Sequence, residues 1–251
     1  MVNPIAFTLG PFTVRWYGIL MALGFLAGYF ITQKIAKEKK IDAEKFGDLY
    51  LYLIISIILG ARLFHVFVYE PGYYLSDPIR ILYIWQGGLA SHGAILGSLL
   101  VAYFVGQRKY KIHILDTMDI ITIPTMMVAA FIRIGNFINQ EIVGRVTDVS
   151  WGMVFERYDN QIRHPSQLYE SAANFILFAF VYSIRNLRKW PRGFIFFFTL
   201  SLYSLVRFFI EFFKEYDGIS PTSPLTMGGY LSIIFFTIGL IGIIAVYRKS
   251  K

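Results

Sequence analysis

Arg133, Asn136, Gln140 and Glu141 close an apolar run, in the stretch Arg133-Ile134-Gly135-Asn136-Phe137-Ile138-Asn139-Gln140-Glu141-Ile142-Val143-Gly144. On a continuing helix Arg133, Asn136 and Gln140 fall at i, i+3 and i+7 on one stripe, with Glu141 beside it. A guanidinium, two amides and a carboxylate would then aim at one place. A second apolar run carries Tyr203, Arg207 and Glu211 at i, i+4 and i+8, again one face. Two arginines from different helices converging on one cavity form a fork-like receptor for phosphate, which arginine binds through parallel hydrogen bonds. Plainer roles stand beside this one: an Arg133–Glu141 pair that only locks two segments, or an Arg207–Glu211 ion pair inside one helix.

His92 lies among small residues, in Gly87-Gly88-Leu89-Ala90-Ser91-His92-Gly93-Ala94, where other backbone or a lipid can come close. Imidazole titrates near neutral pH and is suited to moving a proton, although a lone histidine also serves merely to hydrogen-bond a neighbour. Arg62 and His65, at i, i+3, share a face in another run; snorkelling to lipid headgroups and a place in a site are both open to them.

These residues need elements to hold them, and composition says in which solvent. The chain of 251 residues is 56% hydrophobic and 18% aromatic, a balance that one water-soluble core would struggle to hide. Seven apolar runs, at about 14–35, 49–69, 88–106, 114–138, 166–184, 194–213 and 226–247, are long enough to cross a hydrocarbon core of ~30 Å as helices. The expected fold is therefore an all-α membrane protein with seven transmembrane helices. The first run is too long for a removed signal peptide and reads as a retained span. A charged group at mid-bilayer costs a few kcal/mol or more, so the polar residues above should face the bundle interior, find partners and mark a functional path.

Net charge is +8, but the basic residues form short stretches rather than an extended face, which argues against nucleic acid. Lys34, Lys37, Lys39, Lys40 and Lys45 follow run one; Arg108, Lys109 and Lys111 follow run three; Arg185, Arg188, Lys189 and Arg192 follow run five; Arg248, Lys249 and Lys251 end the chain. By the positive-inside rule that side is cytoplasmic, which puts the N-terminus outside and the C-terminus inside. Without cysteine there is no disulfide, Cys-bound metal or enzyme thiol. No cluster has metal-ligand spacing and no glycine loop suits a nucleotide, so neither a metal nor a cofactor is expected.

No internal repeat is visible, and 1–251 reads as a single membrane-embedded domain. Residues 1–13 suit an interfacial segment turning at Gly10-Pro11. Pro71-Gly72-Tyr73-Tyr74 and Ser76-Asp77-Pro78 break the helix, and Ile79–Trp85 resumes an amphipathic pattern with Tyr83 and Trp85 at the membrane surface. Residues 139–165, with Trp151-Gly152-Met153-Val154-Phe155 among turn residues, suit a small hairpin-like cap on the outer side, between runs four and five. It is too small to fold unaided and should pack on the membrane body.

Across nearly its whole length the chain resembles the prolipoprotein diacylglyceryl transferases. The Arg133–Gly144 stretch carries most of the likeness; Arg15-Trp16-Tyr17-Gly18, Gly88 to Gly93, His164-Pro165-Ser166-Gln167-Leu168-Tyr169-Glu170 and Arg207-Phe208-Phe209-Ile210-Glu211 match in the family's order. Ile132, Ala94, Lys214 and Gly229 depart from the commonest residues of that pattern. The resemblance implies an enzyme of the bacterial plasma membrane with its site toward the outer half of the bilayer. Its substrates would be phosphatidylglycerol, a membrane lipid, and preprolipoprotein signal peptides; the diacylglyceryl group would join the lipobox cysteine as a thioether, releasing glycerol phosphate. It further implies that Arg133 and Arg207 hold the phosphate and that His92 is a base. Tyr17, Asn136, Glu141, Gly144, Tyr203 and Glu211 would shape or bind at the site.

The residues allow that chemistry. A thiol of pKa ~8.5 is mostly protonated at neutral pH, so a nearby base helps, and two arginines on the departing phosphate stabilise its growing charge. A transporter or channel using the same charges as an ion path, and a structural scaffold, are the rival classes; the missing repeat disfavours the first and the two arginine faces the second.

Overall fold

The computed structural model describes residues 3–10, 12–84, 87–215 and 223–249. Met1, Val2, Pro11 of the expected turn, Trp85 and Lys251 lie outside them. Two compact units form, one from Met1–Gly28 with Met118–Lys251, the other from Tyr29–Thr117. In chain order the elements are β1 (Ile5–Leu9), β2 (Phe12–Arg15), α1 (Trp16–Glu38), α2 (Ala43–Phe64), α3 (Pro71–Ser76), α4 (Ser91–Val101), α5 (Ile114–Asn139), β3 (Met153–Val154), β4 (Ile162–Arg163), α6 (Ser166–Ile184), α7 (Phe194–Glu211) and α8 (Met227–Lys249).

Five helical segments among the described residues are long and apolar enough to cross a membrane: Trp16–Glu38, Ala43–Tyr69, Ile114–Asn139, Phe194–Glu211 and Met227–Lys249. The second of these is α2 with a π-helical extension, His65–Tyr69. The third and fifth apolar runs are helical too, but differently built. α4 is 11 residues long before it widens into π-helical turns at Ala102–Lys109. α6 buries a polar face of Gln167, Glu170, Ser171 and Asn174, which lowers its apolarity. Only 22% of the most apolar window of the α2 segment and 28% of that of α8 are buried. Leu51, Ile55 and Leu59 on α2 and Ile234, Ile238 and Ile241 on α8 stay exposed, a surface that water would reject and lipid accepts.

Within the Tyr29–Thr117 unit, α2 and α4 meet backbone to backbone. A Cβ on Gly93 would sit 2.1 Å from the Gly60 carbonyl oxygen, and one on Gly97 2.5 Å from that of Ser56. Small residues allow such an approach, and dispersion between bare backbones then holds helices that gain nothing from expelling lipid. Arg62, 3% exposed, turns inward from α2 rather than snorkelling. Its guanidinium donates to the carbonyls of Arg80 (2.5 Å), Ile81 (2.9 Å), Tyr83 (3.3 Å), Gly87 (2.6 Å) and Gly88 (3.2 Å) and to the Tyr74 hydroxyl (3.1 Å). The non-helical backbone leading to α4 thus has its carbonyls satisfied by one fixed cation. The helix does break after Tyr69, into α3 and a 3-10 turn at Pro78–Leu82. His65, the first residue of the π-helical extension, contacts Glu70 just beyond it at 3.6 Å.

In the other unit, β1 and β2 make the N-terminal hairpin, with Phe7 opposite Val14 and Thr8 opposite Thr13. The Asp119 carboxylate on α5 accepts the amides of Gly193 and Phe196, both at 2.9 Å, and so caps the start of α7. Ser171 Oγ donates to the Ala130 carbonyl at 3.0 Å, tying α6 to α5. α7 and α8 pack through Gly239 and Gly242, where a Cβ would come within 2.1 Å of Ser201 Oγ and 2.2 Å of the Phe197 ring. Residues 140–165 carry the expected hairpin, β3 to β4, with Met153 opposite Arg163. It packs through Phe155, fully buried with its ring edge against Phe137.

Gly93→Ala should lower the thermal unfolding temperature of the detergent-solubilised protein by the equivalent of about 1–3 kcal/mol, the usual cost of overpacking. Gly72→Ala, where a Cβ meets nothing within 4 Å, is the control and should leave it unchanged.

Candidate active site

Glu170 on α6 is 3% exposed, and three cations close on it. Arg133 Nε from α5 lies 2.6 Å from one carboxylate oxygen; Lys214 Nζ at 3.2 Å and Arg207 Nη1 from α7 at 3.6 Å reach the other. Arg207 also contacts Glu211 one turn on, and Glu211 accepts a hydrogen bond from Thr226 Oγ1 at 2.8 Å. The expected convergence of Arg133 and Arg207 is therefore present, and a carboxylate organises it. Three cations face two carboxylates here, which leaves the cluster positive. Arg207 Nη1 approaches both carboxylates as an ion pair without hydrogen-bond geometry, and Glu170 Oε2 and Glu211 Oε2 likewise make no hydrogen bond there. The surplus of positive charge is what favours an incoming anion, which guanidiniums bind through charge-assisted hydrogen bonds.

The stripe expected beyond Arg133 holds for one turn only. Arg133 Nη1 donates to Asn136 Oδ1 at 3.1 Å, and Asn136 Nδ2 to Glu141 Oε2 at 3.1 Å; Asn139 donates to the other oxygen of Glu141 at 3.0 Å. α5 then ends, because Gln140 and Ile142 adopt φ of 61° and 55° and the Glu141 amide closes back on the Asn136 carbonyl at 2.9 Å. Gln140 therefore leaves the stripe, and its side-chain oxygen accepts the Arg157 amide at 2.9 Å. No Arg133–Glu141 pair is needed: Asn136 bridges the two. Tyr17 packs against the bare backbone of Gly135, where a Cβ would lie 2.6 Å from the ring.

Gly144 is a junction. A Cβ there would come 2.4 Å from the His164 carbonyl and 2.6 Å from that of Phe213. Its amide donates to His164 O at 3.0 Å, and it bridges to Lys214, so the 140–165 lobe, the start of α6 and the end of α7 meet at one residue. Arg163, 5% exposed, donates to Gly144 O at 3.0 Å and pairs with Asp159 and Glu215. Gln167 Nε2 donates to Glu141 O at 2.7 Å. Burial lowers the pKa of Lys214, and the Arg207 and Arg133 charges add to this while Glu170 and Glu211 oppose it. Burial, then Arg145, likewise lowers His164, whose Nδ1 meets Tyr169 at 3.1 Å.

Tyr203 and Arg207 line a cavity of about 10 Å³ with Glu170, Asn174 and Leu177, room for roughly one water. A neighbouring one of about 50 Å³ is lined by Arg145, Phe208, Glu211, Leu225, Thr226 and Gly229. A phosphate headgroup enters either only if side chains part.

His92 belongs to the other unit, in the first turn of α4, with its side chain exposed. Nδ1 is 3.0 Å from the Tyr69 hydroxyl, and the ring stacks on Phe64 at 6.0 Å between centroids. If Nδ1–H donates to Tyr69, Nε2 is left with a lone pair and can act as a base. Glu170, Lys214, Thr226 and Arg163 were not among the expected site residues. The rule that found Arg133 and Arg207, an ionisable group within an apolar run, applies equally to Glu170.

A family model described as prolipoprotein diacylglyceryl transferase matches residues 4–245. A phosphatidylglycerol–prolipoprotein diacylglyceryl transferase of Tolumonas auensis is 42% identical over 241 residues, covering 95% of this chain and 93% of that protein. Those of Chloroherpeton thalassium, 39% identical over 255 residues (100% and 93%), and Bacteroides fragilis, 42% over 254 (95% and 91%), are similar.

Glu170→Gln strands three cations with one counter-charge, so it should destabilise the protein by about 3–5 kcal/mol, the cost of breaking a buried pair from one side. Thermal unfolding reads this, and added glycerol phosphate should recover part of the loss by supplying the missing negative charge. An unchanged midpoint would contradict the central role of Glu170.

Proposed function

The chain belongs to the prolipoprotein diacylglyceryl transferase family, and from that premise we infer that it transfers the diacylglyceryl group of phosphatidylglycerol to the lipobox cysteine of preprolipoproteins. It is an integral membrane transferase. The observation that carries the site assignment is the convergence of Arg133 and Arg207 on Glu170.

In the proposed reaction the phosphate replaces part of the contact that Glu170 makes with the two arginines. The cysteine sulfur attacks the glycerol carbon that bears the phosphate ester. A carbon–sulfur bond forms as the carbon–oxygen bond breaks, and glycerol phosphate leaves with the electron pair. Charge grows on the departing oxygen, so guanidiniums fixed before the reaction lower the barrier more than they strengthen substrate binding. His92, with Nδ1–H directed at Tyr69, takes the thiol proton on Nε2.

Asn136 orients Arg133 and relays Glu141 to it. Tyr17 and Gly135 form the packed wall beside that turn, and Tyr203 borders Arg207. Glu211 with Thr226 fixes Arg207 from the other side, and Gly144 admits the chain crossing above. The proposed topology keeps seven spans, with α4 and α6 as the third and fifth, the N-terminus outside, and the site in the outer half of a bacterial plasma membrane. The basic residues at the ends of α4, α6 and α8 support that orientation.

Arg133→Ala and Arg207→Ala should each reduce thioether formation, with labelled phosphatidylglycerol and a lipobox peptide, by at least about 10²-fold, as for loss of a preorganised donor. Full activity in both would end the phosphate-fork reading. His92→Ala should lose activity that partly returns as pH rises toward the thiol pKa of ~8.5; a pH-independent loss assigns it a positional role. Because the chain has no cysteine, Asp148→Cys and Asn186→Cys report topology directly. An impermeant thiol reagent should label only the first from outside intact cells.

A further inference from the structure

We propose that the cleft lined by Arg188, Lys189, Trp190, Pro191 and Tyr247 is a second lipid site, which holds the phosphate headgroup of an anionic phospholipid and is separate from the transferase centre. The cleft is open and measures about 490 Å³, within the range of small-ligand pockets. It lies at the start of α7 and the end of α8. Along the α7 axis, Phe194 and Arg207 are about 20 Å apart, so the cleft and the Glu170 cluster belong to opposite ends of the same helices.

Its walls are fixed before any ligand arrives. Trp190 donates its indole N–H to the Ile184 carbonyl at 3.0 Å and stacks on Phe194 with centroids 4.2 Å apart. The Arg188 guanidinium lies 4.1 Å from the Trp190 ring centroid and 5.7 Å from that of Tyr247, whose hydroxyl it also hydrogen-bonds. A guanidinium held against aromatic faces keeps edge donors in a planar fork, and pre-ordering spares the entropy of fixing a long side chain on binding. Both Arg188 and Lys189 are exposed and reachable.

The charge of the surroundings is one-sided. Arg185, Arg192, Arg248 and Lys249 add to the two basic residues in the lining, while 171–210 and 223–249 contain no aspartate or glutamate. Asp119 reaches this end from α5, but its carboxylate is engaged by the Gly193 and Phe196 amides. A basic, aromatic-walled pocket between the ends of membrane helices fits a phosphate headgroup at the bilayer surface. On α8, exposed Ile241 and Ile244 fall on one helical stripe with Tyr247 and offer the same ligand an apolar surface for its chains, which a free phosphate would not use.

Native mass spectrometry of the detergent-purified full chain, titrated with phosphatidic acid, tests this. The transferase centre also favours phosphate, so every comparison is made in an Arg133→Ala/Arg207→Ala background, where retention of phosphatidic acid should persist. Adding Arg188→Ala or Lys189→Ala should weaken it about fivefold for each basic side chain removed, and Arg188→Gln, which keeps the side chain's length, should do the same. Phosphatidylcholine should be retained poorly, and millimolar inorganic phosphate should not displace the lipid. Unchanged retention in the Arg188 and Lys189 variants overturns the proposal. So does equal retention of phosphatidylcholine, which means an unspecific lipid annulus, or displacement by inorganic phosphate, which means a site for the free ion.

Discussion

Charge withdrawn from water has to be answered by charge, and in this protein the answer is the Glu170 carboxylate between Arg133, Arg207 and Lys214. Each of these groups would be costly alone in an apolar bundle. Together they require three elements to sit in one arrangement: α5 must deliver Arg133, α6 Glu170, and α7 with the turn after it Arg207 and Lys214. The remaining polar residues extend the same logic outward. Asn136 joins Arg133 to Glu141, Thr226 holds Glu211 against Arg207, and Gln167 secures the Glu141 backbone. A network so connected is rigid, and rigidity is what a cation needs if it is to stabilise charge that develops only in the transition state.

Where the charges touch directly, three cations, Arg133, Arg207 and Lys214, face two carboxylates, Glu170 and Glu211. That imbalance is a cost in the resting protein and a preference for an anion at the same time. The arginines lie against the carboxylate, and the cavity beside them is correspondingly small. Lys214 differs from the guanidiniums because its ammonium is a point charge that burial makes easier to deprotonate.

Much of this was legible in the sequence, because apolar runs and the charges within them obey simple periodicity. The Arg207–Glu211 face, the turn from Arg133 to Asn136 and the hairpin after Gly152 follow from spacing alone. What did not follow depends on where backbone stops being helical or on partners distant in sequence. Gln140 lies on a helical stripe only if the helix continues, and a left-handed residue ends it. Arg62 could be assigned no role because its partners are backbone carbonyls, at Arg80 through Gly88, which no side-chain pattern announces. Glu170 was overlooked for a different reason: it sits in an apolar run without a charged neighbour at helical spacing, so its partners come from other helices.

The central claim is that Arg133 and Arg207 together receive the phosphate of the lipid substrate. An experimental structure of the protein in nanodiscs containing phosphatidylglycerol tests it most directly. The expected result is headgroup density with phosphate oxygens within about 3 Å of guanidinium nitrogens from both residues, and a lengthened contact from Glu170 to at least one of them. Phosphate density that touches neither arginine, with the Glu170 contacts unchanged, would contradict it.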